Sequence, residues 1–385
     1  MSAKGFSFQI VPEIIFGEGT ALQIGNVVKR FGSRALLVID PGIEKAGVVE
    51  PILTALQDAS VKVSTFSEIE PEPWVETADK AAGIAKEGKC ECVIGIGGGS
   101  VMDVAKAASV LATNTGKASD YQGLELVSKP GLPKIMLPTT AGTGSEVTFT
   151  AVLSRKEPKM KAGINGQYLF PDVAILDPAL TISVPPDITA TTGMDALTHA
   201  IEGFTSLQAN PLSDTIAKEA IQLIGRNLSK AVHDGKNLPA RSNMLLGSLL
   251  AGIALANAGV GAVHALAYPL GGSFRIPHGV ANGLLLAYVM KYNAGECMNK
   301  YAAVAGLLGE NVSGMSVSAS SEKAVSSVEK LSEDVAIPRK LRELGIEERS
   351  FPEMAEAAMK VTRPLENNPR KLTGEDAISI YKEAF

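Results

Sequence analysis

Residues 92–106 read Cys92-Val-Ile-Gly-Ile-Gly-Gly-Gly-Ser-Val-Met-Asp-Val-Ala-Lys106. The first five are apolar and compact, the pattern of a strand buried on both faces. Gly97, Gly98 and Gly99 then let the backbone turn tightly, and from Val101 onward the spacing is helical. A strand that runs through a glycine turn into a helix points the free amides of the helix start, and the positive end of its dipole, at whatever lies above the turn. A pyrophosphate suits such a place, and so does a bare chain reversal. Gly97, Gly98, Gly99 and Ser100 are the candidate phosphate contacts.

The same alternation extends on both sides. Ala35–Asp40, Val61–Phe66 and Lys134–Leu137 read as further strands, and 76–87 and 102–112 as helices between them. Strand–helix alternation with continuous apolar strands predicts a parallel sheet covered by helices on both faces, a Rossmann-like α/β domain over residues 1–182. Lys134–Leu137 runs into Pro138-Thr-Thr-Ala-Gly-Thr-Gly-Ser-Glu146, whose hydroxyls Thr139, Thr140, Thr143 and Ser145 either meet the same ligand or cap the next segment. Asp40 ends its strand. Its carboxylate either accepts from a ribose 2′-hydroxyl, favouring NAD over NADP, or begins a turn before Pro41.

From Pro185 the β signal fades, and residues 183–385 are expected to be all-α. No Asp, Glu, Lys or Arg occurs between Arg241 and Arg275, a length that could cross a bilayer. Asn257, His264, Pro269 and several glycines within it favour buried helices instead. The formal net charge of −5 argues against nucleic acid and anionic membrane as partners. Three cysteines form no disulfide framework, and the N-terminus has no apolar signal core, so a cytoplasmic location is expected.

Only four histidines occur. His233 sits in a polar turn, whereas His199, His264 and His278 lie in apolar, glycine-rich surroundings. Asp195 and His199, at i and i+4, share one helix face. One carboxylate and three imidazoles suit Fe(II) or Zn(II) with a position left open for substrate. Glu202, one turn past His199, either orients that ring or joins a surface ion pair.

These motifs, with Phe16-Gly-Glu-Gly19, Gly193-Met-Asp-Ala-Leu-Thr-His-Ala-Ile-Glu202, His264-Ala-Leu-Ala-Tyr-Pro-Leu-Gly-Gly272, Pro277-His-Gly-Val-Ala-Asn282 and Asn368-Pro-Arg370, resemble the iron-containing (group III) alcohol dehydrogenases over nearly the whole chain. The resemblance implies a dehydroquinate synthase-like architecture with the cleft between the two domains. It implies a metal site of Asp195, His199, His264 and His278, holding Fe2+, with Zn2+ as the alternative. It implies NAD, with NADP less favoured, near Gly97–Ser100, Asp103, Thr139, Thr140, Thr143, Ser145, Lys161 and Leu180. The implied reaction interconverts a small primary alcohol and its aldehyde by hydride transfer, in a homodimer or larger homo-oligomer. Glycerol-dehydrogenase-like or dehydroquinate-synthase-like chemistry is the alternative. Many members carry a histidine where this chain has Tyr268, which leaves a phenol as the candidate proton relay. Arg275, three residues before His278, is a candidate for binding an anionic substrate group.

Overall fold

The computed structural model describes residues 5–45, 47–157 and 160–385. The first four residues, part of the N-terminus read above for a targeting segment, lie outside them. Nine strands are described: β1 Glu13–Phe16, β2 Arg34–Ile39, β3 Lys62–Phe66, β4 Cys92–Gly97, β5 Gly123–Leu124, β6 Lys134–Pro138, β7 Thr150–Arg155, β8 Met160–Asn165 and β9 Val173–Leu176. The helices are α1 Ile24–Lys29, α2 Pro41–Lys45, α3 Glu50–Asp58, α4 Val75–Glu87, α5 Gly99–Thr113, α6 Pro186–Thr205, α7 Pro211–His233, α8 Leu238–Ala258, α9 Ala262–Phe274, α10 His278–Leu307, α11 Val317–Asp334, α12 Phe351–Met359, α13 Thr362–Asn367 and α14 Gly374–Glu383.

The chain divides into two compact units. One is Ile10–Val184, the other Pro185–Phe385 together with the N-terminal residues through Gln9. The boundary expected after residue 182 thus falls after Val184, and the residues before Ile10 leave the α/β unit for the helical one. Hydrogen bonds account for the second difference: Gln9 N donates to Asn257 Oδ1 at 2.7 Å, and Asn257 Nδ2 donates to Gln9 O at 2.8 Å.

In the α/β unit, six parallel strands run in the order β1-β9-β6-β4-β2-β3. Alternate side chains enter two cores. Leu36, Val38, Val93 and Met136 pack with residues of α4 and α5 on one face, and Leu37, Ile39, Ile94, Ile96, Ile135 and Leu137 with α1 and α3 on the other. This two-sided burial explains why the strands read as unbroken apolar runs rather than alternating ones. A side chain at Gly95 would come within 2.8 Å of Met136 Sδ and 3.0 Å of Ala105 Cβ, so its absence lets α5 lie close on the sheet. A second, three-stranded sheet, β5-β8-β7, is missing from the sequence reading.

Strand order positions the ligand site. The chain goes from β2 outward to β3, crosses back to β4, and then proceeds through β6 to β9. The order reverses between β2 and β4, and open α/β sheets bind ligands beyond the carboxyl ends of strands at such a point. Asp40 follows β2, Gly98 follows β4, Thr139 follows β6 and Leu180 follows β9, so all four share that edge.

The helical unit starts where Pro185 and Pro186 preset the first turn of α6. Asn210 caps α7, its Oδ1 accepting from Leu212 N and Ser213 N at 3.1 Å. The charge-free stretch forms α8 and α9. Among the described residues α8 alone is long and apolar enough to cross a membrane, yet most of it is buried against α6 and α7. The helix is thus largely though not wholly enclosed, in the direction its composition predicts.

Candidate active site

Three helices bring the expected metal ligands together. Asp195 and His199 lie one turn apart on α6, His264 is the third residue of α9, and His278 opens α10 directly after Pro277. One donor atom each from Asp195, His199 and His264 falls within 4.8 Å of the others. Oδ1 of Asp195 is 3.8 Å from Nε2 of His199 and 3.8 Å from Nε2 of His278. The His199 and His264 rings stack with centroids 4.9 Å apart, and His278 meets His264 edge-on at 5.3 Å.

The donor chemistry fits a single divalent cation. Atoms 3.8 Å apart can both lie about 2.1 Å from one ion, and one carboxylate facing three imidazoles is a donor set that suits such an ion. Asp195, His199 and His264 are buried, whereas the His278 side chain is 37% exposed, which leaves the cluster open to small molecules on that side. Burial alone would raise the Asp195 carboxyl. The His199, His278 and His264 rings and the Asn282 amide outweigh it and hold that group below the ordinary carboxylate value.

Two residues complete the cluster. Asn282, one turn past His278 on α10, donates from Nδ2 to Asp195 Oδ1 at 2.7 Å. The same nitrogen is 3.1 Å from Nε2 of both His264 and His278. A flipped amide would press its oxygen against Asp195 Oδ1, which fixes the nitrogen inward. Its spacing of four from His278 was the available signal in the sequence. Glu202 behaves differently from both sequence readings. It is buried rather than a surface ion pair, and it serves His264 rather than His199: Oε2 is 2.5 Å from His264 Nδ1, and Oε1 accepts from Val263 N at 2.7 Å. Burial would lower the His264 pKa, but the Glu202 carboxylate outweighs it and raises it.

At the sheet edge, Gly98 is the N-cap of α5 and supplies no side-chain cap, so the first amides of the helix remain available to an anion. The two turns are bonded together, with Thr139 N donating to Gly97 O at 3.1 Å. A Cβ on Gly99 would strike Thr143 Cγ2 at 2.7 Å, but one on Gly98 would meet only Thr140, at 3.5 Å. Thr140 and Thr143 are half-buried, and Thr139 is buried. Ser145 and Asp103 bond each other, Oγ to Oδ1 at 2.6 Å, and Asp103 Oδ2 also accepts from Val152 N at 2.9 Å. Lys106, which the sequence reading passed over, is completely buried and donates to Ser145 O at 2.9 Å.

Asp40 Oδ1 accepts from Gly42 N at 2.6 Å and Ile43 N at 3.3 Å, which is the turn-forming use of that residue. Lys161 pairs with Glu72 at 2.9 Å, and Leu180 is buried after β9. Tyr268 lies one turn past His264 on α9 and is half-buried. Arg275 is exposed and ends α9 in the left-handed conformation, with φ +58°.

Comparison with known proteins identifies the family. A family model described as iron-containing alcohol dehydrogenase matches residues 12–178, and one described as Fe-containing alcohol dehydrogenase family, C-terminal, matches residues 189–385. The long-chain-alcohol dehydrogenase 1 of Geobacillus thermodenitrificans is 45% identical over 373 residues, 96% of this chain and 94% of that protein. A crystal structure of 1,3-propanediol oxidoreductase superposes with TM-score 0.97 at 41% identity, covering 99% of this chain and all of the other. Sulfoacetaldehyde reductase from Bifidobacterium kashiwanohense, solved in complex with NAD+, gives TM-score 0.89 at 33% identity, covering 99% of each chain. The chain belongs to the iron-containing alcohol dehydrogenase family and is accordingly an oxidoreductase that interconverts alcohols and aldehydes.

Proposed function

We propose that the protein reversibly oxidises a small primary alcohol to its aldehyde with NAD, using one Fe2+ held by Asp195, His199, His264 and His278. The observation that carries this reading is the buried carboxylate facing three imidazoles, open on the His278 side. The bound metal supplies Lewis-acid polarisation of the substrate oxygen, and NAD supplies the hydride acceptor. The chain's own residues bind and orient. Asp195 provides the neutralising charge, Glu202 holds the proton on His264 Nδ1, and the burial of Asp195, His199 and His264 keeps bulk water from those atoms. The amides that follow Gly98 hold the cofactor's pyrophosphate, and Asp40 disfavours a 2′-phosphate. Tyr268 carries the alcohol proton toward solvent, and Arg275 selects for aldehydes bearing an anionic group.

The quaternary state is proposed as a homodimer or larger homo-oligomer and the location as cytoplasmic. The three cysteines, all buried and free, agree with a reducing compartment. Elemental analysis of freshly purified protein, followed by chelation and reloading with Fe(II) or Zn(II), tests the central reading. About one metal per chain, activity lost on chelation and restored by Fe(II), and enhanced NADH fluorescence on mixing are expected. Full alcohol oxidation by a thoroughly chelated protein would overturn the reading, as would absence of any NADH binding.

A further inference from the structure

We infer that Glu202 is a positioning residue for the metal ligand His264, acting through the tautomer of its ring; this rests on the metal site proposed above. Both carboxylate oxygens are engaged by consecutive residues at the start of α9. Oε2 accepts from Nδ1–H of His264 at 2.5 Å, and Oε1 accepts from Val263 N at 2.7 Å. With Nδ1 protonated, the lone pair of the imidazole sits on Nε2, the nitrogen that faces Asn282 Nδ2 and the other ligands. The carboxylate therefore decides which ring nitrogen is free to bind a cation. It also fixes the plane of the ring, because Val263 and His264 are held by the same planar group.

The surroundings are built for that carboxylate. Gly261 precedes α9, and a Cβ there would lie 3.1 Å from Glu202 Oε1 and 3.1 Å from Asn368 Oδ1. Asn368 caps the neighbouring amide, Ala262 N, at 3.1 Å, and it is held in turn by reciprocal bonds with Asn293 at 2.9 Å. Asn368 thus anchors the start of α9 through the backbone, and Glu202 meets the His264 ring at Nδ1.

An amide cannot replace this carboxylate. In Glu202→Gln the oxygen can serve either Val263 N–H or His264 Nδ1–H, and the other donor then faces an NH2 group. Keeping the Val263 bond turns the ring tautomer around, so that Nδ1 accepts and Nε2 carries the proton, which blocks the ligand atom while side-chain volume is unchanged.

The test uses full-length protein labelled with 15N-histidine. Zinc affinity is measured by chelator competition, and the His264 tautomer is read from its nitrogen chemical shifts after chelation, at a pH high enough to keep the ring neutral. Wild type should show the Nδ1–H form. Glu202→Gln should shift His264 to the Nε2–H form and weaken zinc binding about 10- to 100-fold. Asn368→Ala, which loosens the same helix start, should lower the melting temperature but leave the tautomer as in wild type. The inference is overturned if Glu202→Gln keeps the Nδ1–H form with wild-type zinc affinity, or if Asn368→Ala moves the tautomer equally. A wild-type chain that takes up neither zinc nor iron would instead overturn the proposed function, and the tautomer measurement would still decide the role of Glu202.

Discussion

Asp103 and Ser145, 42 residues apart in the chain, are joined by a 2.6 Å hydrogen bond that ties helix α5 to the threonine-rich turn after β6. Lys106, one helical turn further along α5, is 3.5 Å from Asp103 and bonds the carbonyl of Ser145. The helix that opens from Gly98 thus holds the turn after β6 through a buried acid–base pair. Asp103→Ala should leave the Lys106 ammonium buried without its counter-charge and cost about 3–5 kcal/mol in denaturant unfolding. The double replacement Asp103→Leu with Lys106→Met should cost clearly less. Equal losses in the two proteins would show that the pairing is not what the single variant disrupts.

Gly98 separates ligand binding from turn packing. Its φ of −78° and ψ of −171° are open to alanine, and an added Cβ meets only Thr140 at ordinary contact distance. Gly98→Ala should therefore change stability by less than about 1 kcal/mol. It should weaken NAD binding about tenfold or more in a fluorescence titration, because the methyl group occupies the space above the helix amides. Unchanged NAD affinity would move the pyrophosphate away from this turn.

Asp40 caps a turn through Oδ1, and an asparagine can do the same without the charge. Asp40→Asn should melt like wild type while its preference for NAD over NADP falls by about tenfold. If the ratio of kcat/KM for the two cofactors stays put, the residue is a turn former only.

Glu146 is buried with Oε1 unbonded, and its pKa is pushed from 4.5 up to about 7 by burial, with its own backbone amide and Lys106 pulling the other way. Between those two values the folded chain keeps a proton that the unfolded chain has released. Stability must then fall as pH rises from 4.5 toward 7, by up to about 3 kcal/mol, and stay low above it. Glu146→Gln removes this loss, so its stability relative to wild type should rise from near zero around pH 5 to about 3 kcal/mol around pH 8. Parallel stability–pH curves for the two proteins would refute the assignment.

The convergence of Asp195, His199, His264 and His278 was legible because histidine is scarce here and Asp195 and His199 repeat at a helical interval. The two glycine- and threonine-rich turns were legible because buried parallel strands make continuous apolar runs. Glu202 was misread because its partner is 62 residues away, and only the folded arrangement of α6 against α9 brings them together. Lys106 and Glu146 were overlooked because a charged side chain is ordinarily solvated, and nothing local marks these two as enclosed. The β7–β8 hairpin was missed because polar residues such as Ser154, Lys161 and Asn165 interrupt its apolar pattern.

The tie between Gln9 and Asn257 also bears on the order of events during synthesis. All residues of the α/β unit have left the ribosome before most of the helical unit exists, so Ile10–Val184 can fold as an early block. The segment ending at Gln9 is translated before the α/β unit, yet its partner is translated 248 residues later. Final docking of this segment therefore belongs to the last stage of maturation, after the chain has been completed through α8.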